Sequence, residues 1–182
     1  MSKIFSILII ICLSPIFFIV SLAIVLDGGF PILFRQKRVG IKNTYFWIYK
    51  FRTMKKDTPN IPSHMVIDGT SFYTSIGPFL RKFSLDELPQ IFNILRGDMV
   101  FIGPRPALYN QDDLIALRKQ VGVHLLMPGV TGWAQVNGRD ELSITEKVKM
   151  DEYYLKHKSL WLNIKILFMK IFKVLKMEGV SH

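Results

Sequence analysis

The chain has 182 residues, 49% of them hydrophobic, with one cysteine and a formal charge of +10. That length suits one domain and leaves no room for a second globular unit, and the lone Cys12 excludes an intrachain disulfide and any fold that depends on one. The charge favours an anionic partner, whether nucleic acid, an anionic bilayer or a phosphorylated substrate, without choosing among them.

Residues 4–26 carry no charge. As a helix the run is about 35 Å long, enough for a hydrocarbon core of roughly 30 Å. Pro15 opposes a simple span, because inside a helix it removes one backbone hydrogen bond and clashes with the carbonyl four residues earlier, that of Ile11. The result is a kink or a break at Ser14-Pro15. A break leaves two apolar halves, each too short to cross, which suits a re-entrant hairpin. Lys3 precedes the run while Arg35, Lys37, Arg38 and Lys42 follow it, so either topology puts the basic body in the cytoplasm. A cleaved signal peptide fits poorly, since the small-residue triplet Ser21-Leu22-Ala23 lies within the run.

Asp27-Gly28-Gly29-Phe30-Pro31 predicts a turn, and 32–36 and 45–51 predict short strands around a loop at 37–44. Residues 55–74, with Pro59, Pro62 and Gly69, predict a mobile loop. A helix is expected over 84–96 with Gly97 as its C-terminal cap, a strand over 99–102 and a helix over 110–121. Pro128-Gly129 and Asn137-Gly138 mark turns. Over 161–180 the pattern is helical, with Asn163, Lys165, Lys170, Lys173 and Lys176 on one arc and apolar residues around the rest, which suits a bilayer interface. An ordinary core-facing helix is the plainer alternative.

The residues richest in chemistry are Arg81-Lys82-Phe83-Ser84-Leu85-Asp86-Glu87-Leu88-Pro89-Gln90 and Gly103-Pro104-Arg105-Pro106. Ser84 and Glu87 have capping-box spacing, so Glu87 has a structural role available at a helix start, and a first-turn Asp86 is favoured by the helix dipole alone. The functional reading uses the same dipole: it keeps Asp86 ionised, able to bind Mg²⁺ or attack phosphorus. Two carboxylates repel a pyrophosphate, so cations are needed beside them, and Lys50, Arg52, Arg81, Lys82, Arg105 and Arg139 are the candidates. Arg105, between two prolines of fixed φ, is the most constrained and suits bidentate phosphate recognition. The four histidines lack zinc-ligand spacing, and no Walker A, dinucleotide-binding glycine pattern or nucleophile elbow is present.

These stretches, together with Phe34-Arg35-Gln36-Lys37-Arg38-Val39-Gly40, Tyr49-Lys50-Phe51-Arg52-Thr53-Met54, Asn93, Gly97-Asp98-Met99, Phe101-Ile102, the run Pro128-Gly129-Val130-Thr131-Gly132-Trp133-Ala134-Gln135-Val136-Asn137-Gly138-Arg139 and Gly179-Val180-Ser181, resemble the bacterial sugar transferases, in particular the small monotopic phosphoglycosyl transferases. The resemblance covers nearly the whole chain in order. It implies an α+β fold: a compact single domain at 31–182 with short strands and amphipathic interface helices, preceded at 1–30 by a helix-break-helix re-entrant membrane element broken at Ser14 and Pro15.

It further implies transfer of a sugar 1-phosphate from a UDP-sugar to undecaprenyl or another polyprenol phosphate, initiating surface glycoconjugate assembly at the cytoplasmic face of a bacterial inner membrane. Asp86 and Glu87 are then the catalytic dyad and the Mg²⁺ ligands, Asp86 forms a covalent phosphosugar intermediate, and Lys50, Arg52, Arg81, Arg105 and Arg139 bind phosphate. The partners implied are the donor, the acceptor and the bilayer, not nucleic acid; a homodimer stays an open alternative. Met127 stands where the family commonly has a basic residue, and Ile41-Lys42-Asn43-Thr44 lacks a glycine often found there. Two rivals remain: a non-catalytic basic membrane-surface protein, and a metal-dependent phosphohydrolase.

Overall fold

The computed structural model describes residues 2–56, 58, 72–138 and 142–176. Helix α1 (Ser2–Gly28) leads into strands β1 (Leu33–Val39) and β2 (Tyr45–Phe51), joined by a 3-10 turn at Ile41–Asn43. There follow α2 (Gly77–Lys82), a 3-10 turn at Leu85–Glu87, α3 (Gln90–Arg96), β3 (Val100–Ile102), α4 (Asp112–Gln120), a 3-10 turn at Val123–Leu125, β4 (Gly129–Thr131), α5 (Trp133–Val136), α6 (Ile144–His157) and α7 (Leu160–Lys176). Helix and sheet are mixed, as expected.

The first strand is longer than predicted. β1 and β2 pair antiparallel from Leu33 with Phe51 to Val39 with Tyr45, so Lys37 and Arg38 belong to the ladder and not to a loop. The turn then needs left-handed backbone, which Lys42 (φ 53) and Asn43 (φ 60) supply in place of the missing glycine. Side chains alternate along a strand, so Gln36, Arg38, Ile48 and Lys50 share the inner face. On the outer face Arg35 lies over the Trp47 ring and Lys37 over that of Tyr45.

β3 and β4 pair in parallel. Their backbones approach so closely that a β-carbon on Gly129 would fall 2.1 Å from the Gly103 nitrogen, which requires glycine on steric grounds. The segment 55–74 lies largely outside the described residues, but its ends are joined: the Lys55 N–H donates to the Phe72 carbonyl at 2.8 Å, and Met54 bridges Tyr73.

α1 remains one helical element through Pro15, so the expected break does not divide it. The carbonyl that Pro15 deprives of a donor, that of Ile11, accepts instead from Ser14 Oγ at 2.8 Å. The later half of α1 docks onto the body: Val20 and Ile24 pack with Phe51 and Leu80, with Phe17, Leu85 and Leu88 against them. Asp27 Oδ2 accepts from the Ile76 N–H at 3.0 Å and fastens the end of the helix. Ile11, Phe18, Ile19, Leu22 and Leu26 face outward, and the stretch Ile9–Gly28 is long and apolar enough to cross a membrane, with only 11% of it buried.

α7 is apolar on two sides. Leu162, Ile166 and Met169 join Val136 and Tyr154 in a core cluster, while Leu160, Trp161, Leu167, Phe168, Ile171 and Phe172 are exposed. The lysine-bearing arc is thus partly a body-facing arc, and Lys170 turns inward. The expected helix end beyond residue 176 lies outside the described residues. α6 was not foreseen, although Ser143 and Glu146 form a true capping box at its start.

Candidate active site

The dyad turn is built by its neighbours. Ser84, the residue before the 3-10 turn, has left-handed backbone (φ 55, ψ 23) and its side chain makes no cap. The helix expected over 84–96 is therefore a 3-10 turn followed, beyond Leu88-Pro89, by α3, which Gly97 closes at φ 86 as predicted. The capping role open to Glu87 is not taken. Its carboxylate points across the fold, where Oε1 accepts from Lys50 Nζ and from Arg105 Nη1, each at 3.1 Å. Lys50 Nζ also donates to Asp86 Oδ2 at 3.4 Å. Asp86 and Glu87 are 6% and 5% exposed, so the charges interact with little water between them and their attraction is strengthened accordingly.

Burial is the dominant influence on the Asp86 carboxyl and pushes its pKa up; Lys50 opposes this, Glu87 reinforces it, and Arg81 and Arg105 pull it down. Burial likewise lowers the Lys50 ammonium, against the pull of Glu87 and Asp86. Desolvation and like charge thus push one way and the cations the other.

Lys50 is aimed by Asn93, which is fully buried. Asn93 accepts from the Tyr49 N–H at 3.1 Å and donates to the Trp47 carbonyl at 2.7 Å, binding α3 to the stretch of β2 that precedes Lys50.

Arg105 is fixed through its turn. The Pro104 carbonyl accepts from the Gly129 N–H at 2.9 Å and the Ala107 carbonyl from the Val39 N–H at 3.0 Å. Between them, the Arg105 carbonyl accepts from Arg118 Nη1 at 2.8 Å and the Pro106 carbonyl from Arg38 Nη1 at 3.1 Å. Arg118 is itself held by Asp151 Oδ2, at 2.9 Å from Nε and 2.5 Å from Nη2.

The structure thus brings Lys50 and Arg105 to the dyad. Arg81 donates to the Tyr73 hydroxyl, stacks on that ring and acts on Asp86 through its charge. Arg52 points elsewhere, its Nη2 donating to the Gly29 carbonyl at 2.6 Å. It lines a cleft of about 570 Å³ with Asp27, Lys55, Tyr73 and Thr74. A guanidinium at the carboxyl end of α1 complements the helix dipole, which is a structural use of Arg52 that its place in the motif does not reveal. Arg139 lies outside the described residues.

Sequence reasoning missed Arg38 and Lys170. Arg38 is half-buried on the inner face of β1, its pKa lowered to about 9 by desolvation and by Arg105; its two-residue spacing from Gln36 on a strand was the available signal. Lys170 Nζ donates to Ser84 Oγ at 2.9 Å, a contact that no local pattern announces.

Among the described residues no group of three or more His, Cys, Asp or Glu side chains forms a metal cage. The adjacent Asp86 and Glu87 carboxylates do fit Mg²⁺, which is commonly bound by one or two carboxylates with substrate phosphate oxygens and water. Burial that drives Asp86 towards its neutral form is what a further cation would relieve.

The profile of the bacterial sugar transferases matches residues 1–177. The chain belongs to the bacterial sugar transferase family. Among its relatives in that family, an undecaprenyl-phosphate glucose phosphotransferase of Komagataeibacter xylinus is 41% identical over 91% of this chain and 33% of its own length. A UDP-glucose:undecaprenyl-phosphate glucose-1-phosphate transferase of Escherichia coli is 37% identical over 91% of this chain and 37% of its own length. An uncharacterized sugar transferase of Bacillus subtilis, EpsL, is 38% identical, covering 94% of this chain and 84% of its own length. The chain therefore spans about a third of the two characterised relatives.

Proposed function

We propose that this member of the family is a phosphoglycosyl transferase, moving a sugar 1-phosphate from a UDP-sugar to undecaprenyl or a related polyprenol phosphate. The observation that carries the reading is the buried Asp86–Glu87 pair, bound to Lys50 and Arg105 and set between the two helices that expose apolar surface. The buried Arg118–Asp151 pair has a structural use as the tether of the Arg105 turn, whereas Asp86 and Glu87 place two carboxylates on one shared lysine, an arrangement that favours phosphoryl chemistry over surface binding alone.

In the first half-reaction an Asp86 oxygen attacks the phosphorus that carries the sugar. The bond from that phosphorus to the bridging oxygen breaks, UMP leaves with the electron pair, and an aspartyl-phosphosugar remains. In the second, a polyprenol phosphate oxygen attacks the same phosphorus, the bond to Asp86 breaks and the carboxylate is regenerated. Lys50 and Arg105, already within reach of the dyad, stabilise the charge that spreads over the phosphoryl oxygens. Glu87 holds those two cations in place. Asp86 and Glu87 would hold Mg²⁺, whose chemistry there is to offset pyrophosphate charge and favour departure of the nucleotide.

The membrane placement belongs to the same proposal. From Phe17 onward α1 is docked on the body. The part before it, residues 2–16, is about 22 Å long as helix, short of the roughly 30 Å hydrocarbon core. A segment of that length suits an element that enters the bilayer without crossing it, Pro15 marking where it meets the docked half of the helix.

Release of UMP from a panel of UDP-sugars, measured with Mg²⁺ and with or without undecaprenyl phosphate, tests the reading. Acceptor-dependent release from one donor is expected, and Asp86→Asn should abolish it while membrane association persists. Release at full rate without acceptor would make the protein a phosphohydrolase, and undiminished turnover by Asp86→Asn would remove Asp86 from the chemistry.

A further inference from the structure

Ser84 fixes the entry to the dyad turn. It carries a β-carbon yet holds a left-handed backbone (φ 55), a conformation that persists in such residues only when the surroundings impose it. Two of its bonds are local: its N–H donates to the Arg81 carbonyl at 3.0 Å, and its own carbonyl accepts from the Glu87 N–H at 3.2 Å. The third comes from α7, where Lys170 Nζ donates to Ser84 Oγ across 86 positions of sequence.

The helix that sends this lysine inward exposes Leu167, Phe168, Ile171 and Phe172 on its other side. An apolar strip of this kind needs cover, and on a helix with lysines beside it a lipid surface supplies that cover. Any rotation of α7 about its axis moves Lys170 along with the strip, because both belong to one rigid helix. The contact with Ser84 is therefore lost once α7 turns beyond the reach of the four-carbon lysine stem.

We propose that Lys170 is a positioning residue that transmits the seating of α7 on the membrane to the catalytic turn, by holding Ser84 and through it the direction of Asp86. The inference rests on the transferase reading given above. In it Lys170 touches no substrate, so its effect belongs on kcat and not on KM for the polyprenol phosphate.

The test compares wild type, Lys170→Ala, Lys170→Arg, Ser84→Ala and the Ser84→Ala/Lys170→Ala double variant, as full chains in phospholipid vesicles. Each alanine variant should lower kcat about tenfold, the kinetic equivalent of losing one charge-assisted hydrogen bond that orients a nucleophile. The double variant should be no worse than either single one, since the two changes remove the same contact. Lys170→Arg, which keeps a donor, should recover most of the rate, and vesicle co-flotation should be unchanged throughout.

Full activity in Lys170→Ala, additive losses in the double variant, or a raised KM for polyprenol phosphate at constant kcat would each overturn the proposal. The last result would make Lys170 a phosphate ligand. Ser84→Ala leaves α7 intact and carries the test alone should Lys170→Ala fail to fold. Failure of the transferase reading looks different: wild type itself would then show no acceptor-dependent UMP release.

Discussion

Lys50 serves two carboxylates with one ammonium, and the sign of its effect can be read from the titration of activity. In the proposed reaction Asp86 must be ionised to attack, and burial already places its pKa above the ordinary carboxylate range while Lys50 restrains the rise. Activity should therefore fall on the acid side at a higher pH than an exposed aspartate would give. In Lys50→Gln the restraint is gone, so the acid limb of kcat/KM should move to still higher pH, in addition to a lower plateau. A limb that stays in place would mean that Lys50 does not act on the ionisation of Asp86. Asn93 answers to stability instead. Asn93→Leu strands the Tyr49 N–H and the Trp47 carbonyl, which Asn93 now satisfies, and should cost about 2–6 kcal/mol at roughly 1–3 kcal/mol per stranded buried group, measured by denaturant titration.

Among the elements, the turn that presents Arg105 depends most on distant partners. Its prolines have no N–H to donate, so its rigidity comes from carbonyls that accept from Gly129 of β4, Arg118, Arg38 and Val39. Asp151 is 1% exposed and anchors Arg118. Asp151→Asn leaves a buried guanidinium without its counter-charge, and breaking such a pair typically costs about 3–5 kcal/mol. Thermal denaturation should show that loss, and kcat should fall as the Arg105 carbonyl loses its tether; an unshifted melting curve would show that Arg118 finds another partner.

The same elements separate what was legible from what was not. The hairpin and α7 could be read because their apolar periods of two and 3.6 are properties of the local chain. Ser84 and Glu87 misled, since their spacing matches a capping box that the fold declines in favour of Lys50 and Arg105, partners far away in sequence. Arg118 with Asp151, 33 positions apart, and Lys170 with Ser84, 86 apart, exist only once separate elements have met, and no local window of sequence contains both members of either pair. Lys50 and Arg105 stand in motifs of the family and lie against the Asp86–Glu87 pair, whereas Arg52, equally prominent in a motif, donates to the Gly29 carbonyl at the end of α1.

At the scale of the molecule, exposed large apolar residues concentrate on α1 and α7. Leu85 and Leu88, on either side of the dyad, pack against α1, and Ser84 is held by α7, so both helices bracket the catalytic turn. Replacing Phe168 and Ile171 by Glu should weaken the affinity for anionic vesicles, read by flotation, about a hundredfold or more, since each change withdraws a buried-in-lipid side chain worth about 1.5–3 kcal/mol, while circular dichroism of the purified protein stays unchanged. Unaltered flotation would show that α7 is not part of the membrane contact.

The docking of Val20 and Ile24 beneath Leu80 and Leu85 also ties distant stretches of the chain into one unit. Helix α1 supplies the floor on which a turn some sixty residues further along must set, and deleting that helix deletes the floor. Trimming the apolar leader to obtain a water-soluble enzyme should yield a folded remnant at best, with its two carboxylates no longer held in the arrangement described here. Helix α1 and the Asp86–Glu87 turn are one folding unit, so under the proposed function a copy without that helix should also lose acceptor-dependent UMP release.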